Sequence, residues 1–154
     1  MKTYNDLINE CLETVEELFP WDLEEELQAG SKPILLDIRE PEEFYAMRIK
    51  DSINVPRGIL EQSCEWDFEE TIPELVTSRD KPIVLICRSG NRSVLAAYTM
   101  QLMGYENVKS LKTGLKGWTD YEQPLVDNNN INVDIDDADE YFASKVKPEQ
   151  MRPK

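Results

Sequence analysis

Ile83-Val84-Leu85-Ile86-Cys87-Arg88-Ser89-Gly90-Asn91-Arg92-Ser93 is the stretch that decides how this chain is read. Its first part continues Lys81-Pro82 into an apolar, β-branched run of buried-strand type. Val94 to Met103 follows, apolar nearly all round and rich in good helix formers. Between them lies a short polar turn that begins with a cysteine. Unpaired N–H groups of such a turn and of the first helical turn point inward. The helix dipole adds partial positive charge, and Arg88 and Arg92 add more. All three favour a thiolate, which is the nucleophilic form of cysteine. The same cradle of donors suits an oxyanion or the outer sulfur of a persulfide.

Composition narrows the chemistry. The chain has 154 residues and no histidine. That excludes a Cys–His dyad, a Ser–His–Asp triad and His-ligated metal sites, so activation of Cys87 falls to backbone dipoles and cations. Cys11, Cys64 and Cys87 are scattered and odd in number, with no Cys-x-x-Cys pair, which argues against a disulfide framework. No stretch is apolar enough to span a membrane, and Met1 to Glu17 is acidic where a secretory signal is basic and then apolar. A cytoplasmic protein with reduced thiols is expected.

The net charge of −14 is unevenly placed. Residues 1–30 hold nine acids and one base, and residues 127–154 seven acids and four bases. The central stretch is closer to balance, so an anionic substrate there is compatible with the overall charge. Nucleic acid is not an expected partner, because nothing neutralises phosphates across a surface. A basic protein partner is, steered by opposite charge; an acidic surface kept for solubility is the plainer reading.

Outward from the cysteine, the chain alternates strands and helices. Thr3 to Leu18 reads as an amphipathic helix, with Leu7, Ile8, Cys11, Leu12, Val15 and Leu18 at three- and four-residue steps. Pro20 ends it, and Trp21 to Gln28 is a second helix closed by Gly30. Pro33 to Asp37 is a strand, Glu42 to Met47 a short helix, and Ile53 to Pro56 a short strand. Arg57 to Thr71 is a surface excursion with Trp66 and Phe68 as apolar anchors. Val108 to Leu111 is a further strand, and a short helical piece follows Thr113-Gly114. Asp127 to Asn130 is a linker, and Val133 to Val146 is read as one helix before a loose end. Strands without period-two patterning imply an α/β fold, a parallel sheet covered by helices on both faces. Sites in such folds lie at the carboxyl ends of the strands, where Cys87 and Asp37 sit. The expected division is an N-terminal helical extension over 1–19, a catalytic domain over 20–126 and an acidic tail over 127–154.

Three separated motifs resemble the rhodanese domain. They are Asp37-Ile38-Arg39-Glu40-Pro41-Glu42-Glu43-Phe44 running on to Ile53-Asn54-Val55-Pro56, the cysteine loop, and Leu111-Lys112-Thr113-Gly114-Leu115-Lys116-Gly117-Trp118 followed by Pro124. They occur in the family's order and span about residues 20–126. The resemblance implies a rhodanese-like fold and a sulfurtransferase without cofactor or metal. Cys87 would take a sulfane sulfur from thiosulfate or a persulfide donor and pass it to cyanide, a small thiol or a protein thiol. Donors from Arg88, Ser89, Gly90, Asn91, Arg92 and Ser93 would hold the persulfide. Arg88 and Arg92 would orient an anionic donor, and Ser93 would cap the following helix, with the alternative that its hydroxyl faces the loop. Asp37, Arg39 and Arg57 are accessory candidates. For Asp37 and Arg39 a salt bridge fixing strand to helix is the stronger reading, and for Arg57 a free surface position stands beside the pocket rim. Cys64 is a candidate sulfur relay, weighed against packing.

Two alternatives accompany this reading. One is a protein-to-protein persulfide relay with low small-molecule turnover. The other is a Cys-based phosphatase or arsenate reductase. Only four residues separate Cys87 from Arg92. The related phosphatases use a longer loop for a tetrahedral phosphate, so the shorter loop favours sulfur. The chain departs from the family pattern at Met47-Arg48-Ile49-Lys50-Asp51-Ser52, where Gly-His-Ile-Pro-Gly-Ala is usual, and at Thr113, which replaces the first of two glycines.

Overall fold

The computed structural model describes all residues from Met1 to Lys154. Its centre is a parallel sheet of five strands. In chain order these are β1 (Glu16–Leu18), β2 (Ile34–Asp37), β3 (Ile53–Asn54), β4 (Ile83–Ile86) and β5 (Val108–Leu111). Their spatial order is β1-β5-β4-β2-β3, so β4 lies in the middle of the sheet. Every β4 residue is buried, as expected for a continuous apolar run covered on two faces.

Helices α1 (Tyr4–Cys11) and α6 (Asn91–Leu102) cover one face, and α4 (Leu60–Ser63) and α5 (Pro73–Val76) add to that layer. Helices α2 (Pro20–Gln28), α7 (Gly114–Asp120) and α8 (Ile135–Phe142) cover the other. The short α3 (Pro41–Ala46) follows β2. Strand alternation divides the core cleanly. Ile83, Leu85 and Cys87 belong to the α1/α6 side, with Leu36, Val94 and Ala97. Val84 and Ile86 belong to the α7 side, with Leu35, Leu115 and Trp118. Cys87 therefore continues an inward-facing row of β4 toward α6.

Three local expectations are corrected. The helix expected over Thr3–Leu18 stops at Cys11, and Glu16–Leu18 is an edge strand of the sheet. Val15 and Leu18 are both buried, which mimics a continuing helical stripe, but they face opposite core layers. The strand gains its partners only from distant residues, with Glu16 opposite Lys109 and Leu18 opposite Leu111. Pro20 does not merely end a helix; it begins α2, where its missing N–H costs nothing. Trp66 and Phe68 do not anchor the 57–71 excursion: both stand about half exposed. Leu60 and Cys64, fully buried, hold it instead.

The C-terminal helix is shorter than the expected 133–146 span, ending at Phe142. Asp134 caps it by accepting from the Asp136 N–H. Ala138 and Phe142 bury against the α7 layer. Burial of the Phe142 ring alone contributes roughly 1.5–3 kcal/mol to keeping α8 in place.

Candidate active site

The carboxyl end of β4 delivers Cys87 to the start of α6. Gly90 takes φ 88°, a left-handed turn that L side chains resist, and α6 begins at the next residue. This turn folds the chain back over the sulfur. Gly90 N–H donates to Cys87 Sγ at 3.1 Å, and Ser93 N–H does so at 3.4 Å. Ser93 Oγ lies 3.3 Å from the same sulfur and 2.7 Å from Ser110 Oγ. Two backbone N–H groups and one hydroxyl thus converge on one sulfur.

The third sequence motif braces this loop from below. Leu115 N–H donates to Cys87 O at 2.9 Å and Lys116 N–H to Arg88 O at 3.0 Å. Thr113 and Gly114 both adopt positive φ, 66° and 61°. Thr113 thus takes a left-handed conformation that favours glycine. Its hydroxyl lies over Gly117, where a Cβ would collide with it.

The loop residues have divergent roles. Ser93 does not cap α6; it lies fully buried in the first turn, and Gly90 occupies the cap position. Its hydroxyl is spent on Cys87 and Ser110. Arg92 reaches the pocket but is held by Glu43 of α3, with Nη1–Oε2 and Nη2–Oε1 both at 2.9 Å. Arg88 turns its Nη2 toward the end of α8, donating to Phe142 O at 2.8 Å and Ala143 O at 3.3 Å. Its Nη1 lies 3.3 Å from Ser89 Oγ. Neither arginine is a free cation waiting for an anion.

Burial raises the Glu43 carboxyl, but hydrogen bonds from Arg92 and the Glu40 N–H, with the charges of Arg92 and Arg39, outweigh it and hold Glu43 below its ordinary range. Arg92 is raised in turn, first by its hydrogen bonds to Glu43.

Above Cys87 is a pocket of about 210 Å³ lined by Tyr4, Cys87, Arg88, Ser89, Asn91 and Arg92. The loop side of that lining was legible in sequence; Tyr4 was not. Ser89 and Asn91 also line a larger groove between the loop and α1, with Gly90 on its wall.

Asp37 and Arg39 form a pair with no solvent exposure on either side chain. Arg39 Nε and Nη2 donate to the carboxylate at 2.8–3.1 Å, and Nη2 also donates to Met47 O. Asn54 Nδ2 bridges Asp37 O and Arg39 O at 3.0 Å each. These residues join β2, β3 and the end of α3, and none lines the pocket over Cys87. Arg57 is not on that rim either: it pairs with Glu61 at 2.8 Å and donates to Thr99 Oγ1 on α6.

Cys64 packs at the opposite end of the molecule's central strand. Its carbonyl receives Arg79, whose guanidinium lies over the Tyr105 ring, and Arg79 and Tyr105 flank the entry to β4 and β5. Cys87 leaves the other end of β4, and neither Cys64 nor Arg79 lines the pocket over Cys87. Burial pushes the Cys64 thiol up.

Sequence reasoning missed Glu43, Ser110 and Tyr4. Glu43 lay within the first motif, and Ser110 was a lone polar residue in a buried strand, so each left a trace. Tyr4 left none, because its relation to the loop exists only after α1 packs on α6. No three His, Cys, Asp or Glu side chains gather in a metal-binding arrangement, and no helix is long and apolar enough to cross a membrane.

The rhodanese-like domain model matches residues 20–121. Among curated proteins, "Adenylyltransferase and sulfurtransferase UBA4" of Candida albicans is 34% identical over 109 residues, covering 66% of this chain and 23% of that protein. "Putative thiosulfate sulfurtransferase, mitochondrial" of Schizosaccharomyces pombe is 32% identical over 90 residues, covering 56% of this chain and 63% of that protein. The chain thus spans under two thirds of either relative's length. A solved structure from Rhodopseudomonas palustris, described as a "Possible Tyrosine Phosphatase", superposes with a TM-score of 0.73 at 29% identity, covering 80% of this chain and 94% of that one. The family match extends over most of the chain and contains the sheet centre, the cysteine loop and the turn that braces it: this protein belongs to the rhodanese-like domain family.

Proposed function

We propose that the chain is a sulfurtransferase that carries sulfane sulfur as a persulfide on Cys87. The observation that carries this reading is the convergence of Gly90 N–H, Ser93 N–H and Ser93 Oγ on Cys87 Sγ beneath a small pocket. In the first step the Cys87 thiolate attacks the outer sulfur of a donor R–S–S⁻ or of thiosulfate. The donor's S–S bond breaks, its electron pair leaves with R–S⁻ or sulfite, and Cys87–S–S⁻ forms. In the second step cyanide or a thiolate attacks the outer sulfur, and the Cys87 thiolate is the leaving group. Two transfers through one covalent intermediate give ping-pong kinetics. No net redox change and no cofactor are involved.

The acceptor that suits this surface is a thiol on a basic protein. Residues 1–30 and 127–154 carry most of the net charge of −14. Fields of this kind speed encounter and weaken with salt. The UBA4 relative is named as a sulfurtransferase, which is in keeping with such a role here. Three free cysteines suit a reducing compartment, and we place the reaction in the cytoplasm.

A phosphatase is the second reading, favoured by the description of the Rhodopseudomonas structure. The site argues against it. The loop is short for a tetrahedral phosphate, and the Arg92 fork that would grip one is already filled by Glu43. The deciding experiment treats the protein with thiosulfate or glutathione persulfide and weighs its peptides. One added sulfur on the Cys87 peptide, absent in Cys87→Ser, is the expected result. Sulfur found only on Cys11 or Cys64, or hydrolysis of p-nitrophenyl phosphate without any persulfide, overturns the assignment.

A further inference from the structure

Tyr4 is the pocket residue supplied from outside the matched domain. It opens α1, and α1 is held firmly. Thr3 accepts from Asp6 N–H at 3.1 Å while Asp6 accepts from Thr3 N–H at 2.8 Å, a reciprocal cap at the pocket end. Ile8 and Cys11 are buried against the α6 layer. Just beyond the helix, Thr14 exchanges two hydrogen bonds with Gln101, near the last residue of α6. Helix α1 therefore runs alongside α6 in the same direction, and its first residue arrives where α6 begins. A side chain mounted on so fixed an element is a positioned group.

The other pocket donors are largely committed. Arg92 is engaged by Glu43, and Arg88 by the carbonyls that end α8. The Tyr4 ring is about half exposed, and no hydrogen-bond partner within the protein takes its hydroxyl. That hydroxyl lies near enough to Cys87 and Arg92 to feel both charges. Burial pushes it above its ordinary value, the Cys87 sulfur adds to the rise, and Arg92 opposes it. At neutral pH it keeps its proton and has that proton to donate.

Building on the sulfurtransferase reading, we propose that Tyr4 is a substrate-contact residue whose hydroxyl donates a hydrogen bond to the outer sulfur of the Cys87 persulfide, across the pocket from the loop amides. The proton stays on Tyr4 throughout. The bond forms only when the outer sulfur is present, because that sulfur extends the Cys87 side chain into the pocket. It stabilises the anionic persulfide between the two transfers and orients it toward the open groove, where the acceptor enters past Ser89 and Asn91.

The test uses the full chain and Tyr4→Phe, which keeps the ring and removes the donor. Both proteins are loaded with thiosulfate, freed of donor, and followed by mass spectrometry for the lifetime of the Cys87 persulfide without acceptor. A hydrogen bond to a charged sulfur predicts that the lifetime falls about tenfold in Tyr4→Phe. Loading should still reach one sulfur per chain, and the thermal midpoint should be unchanged, since the lost atom sits at the pocket surface. Lifetimes equal within twofold overturn the role of Tyr4 while leaving Cys87 chemistry intact. If the unaltered protein acquires no sulfur on Cys87 from thiosulfate or glutathione persulfide, the sulfurtransferase reading itself fails, and this proposal with it. Tyr4→Ala separates the ring from the hydroxyl: a loss no larger than that of Tyr4→Phe assigns the effect to the donor, and a loss confined to Tyr4→Ala overturns the proposed hydrogen bond.

Discussion

Arg92 and Glu43 meet in a two-pronged ion pair at the edge of the Cys87 pocket, both oxygens engaged at 2.9 Å. The pair turns an apparent anion grip into a nearly neutral wall. Glu43→Gln should therefore free positive charge at the pocket. The expected outcome is a several-fold lower KM for thiosulfate at low salt, with a smaller change at high salt. Steady-state assays at two ionic strengths read this directly.

The same pair gives a pH signature. The Glu43 carboxyl is lower when folded than its ordinary value, so its contribution to stability is present above the unfolded carboxylate range. It is lost as pH falls through the depressed folded value. The pair is partly solvent-exposed, so its contribution is about 0.5–1 kcal/mol after screening. Thermal melts of the protein and of Glu43→Gln should differ by that amount near neutral pH; the difference should start to shrink as pH falls below the ordinary Glu value of about 4.3 and vanish below the depressed folded value.

Arg88 links the loop to the tail, because its guanidinium takes the carbonyls of Phe142 and Ala143 at the end of α8. A cation there satisfies orphan carbonyls and complements the helix dipole. Arg88→Ala should loosen α8, raising amide exchange over residues 135–142 by about tenfold, as expected for loss of one charge-assisted link. Exchange confined to global unfolding would show that Phe142 packing alone holds the tail.

Asp37 and Arg39 are both fully buried and hydrogen-bonded to each other and to the backbone around them. Removing one partner strands the other charge in the core. Asp37→Ala or Arg39→Ala should each lower stability by about 3–5 kcal/mol, measured by urea unfolding. The double variant should be less damaging than the sum of the two, since neither charge is then left alone.

The sequence carried the loop and the sheet because both are written in short patterns. The β4 run, the glycine turn and the α6 propensity sit next to one another, so Cys87 could be placed before any packing was known. The motif around Asp37 and Arg39 also supported the ion pair that is found. What was not legible depends on distant packing. Glu16–Leu18 becomes a strand because β5 offers it an edge, and Tyr4 reaches the pocket because α1 lies along α6. The orientations of Arg88 and Arg92 were hidden for the same reason. Their charge was visible, but their partners, Phe142 O and Glu43, lie 54 and 49 residues away.

Gly114 and Gly58 form a matched test of how tightly the brace fits the loop. At Gly114 φ is 61°, and an added Cβ would fall 2.5 Å from Cys87 O and 2.6 Å from Arg88 O. Those atoms are backbone and cannot swing aside, so the cysteine loop itself must shift. Gly114→Ala should cost about 1–3 kcal/mol or more and displace the donors around Cys87 Sγ. Sulfur loading of Cys87 should then slow by at least tenfold, because the Gly90 and Ser93 amides no longer converge. At Gly58 nothing lies within 4 Å of the added Cβ, and φ is not positive. Gly58→Ala should leave loading unchanged and alter stability by less than about 1 kcal/mol, in the stabilising direction, through the unfolded chain. Parallel urea titrations and persulfide mass spectrometry on the two variants decide the matter. Equal behaviour would mean that the Thr113–Gly114 turn yields to the loop and does not shape it.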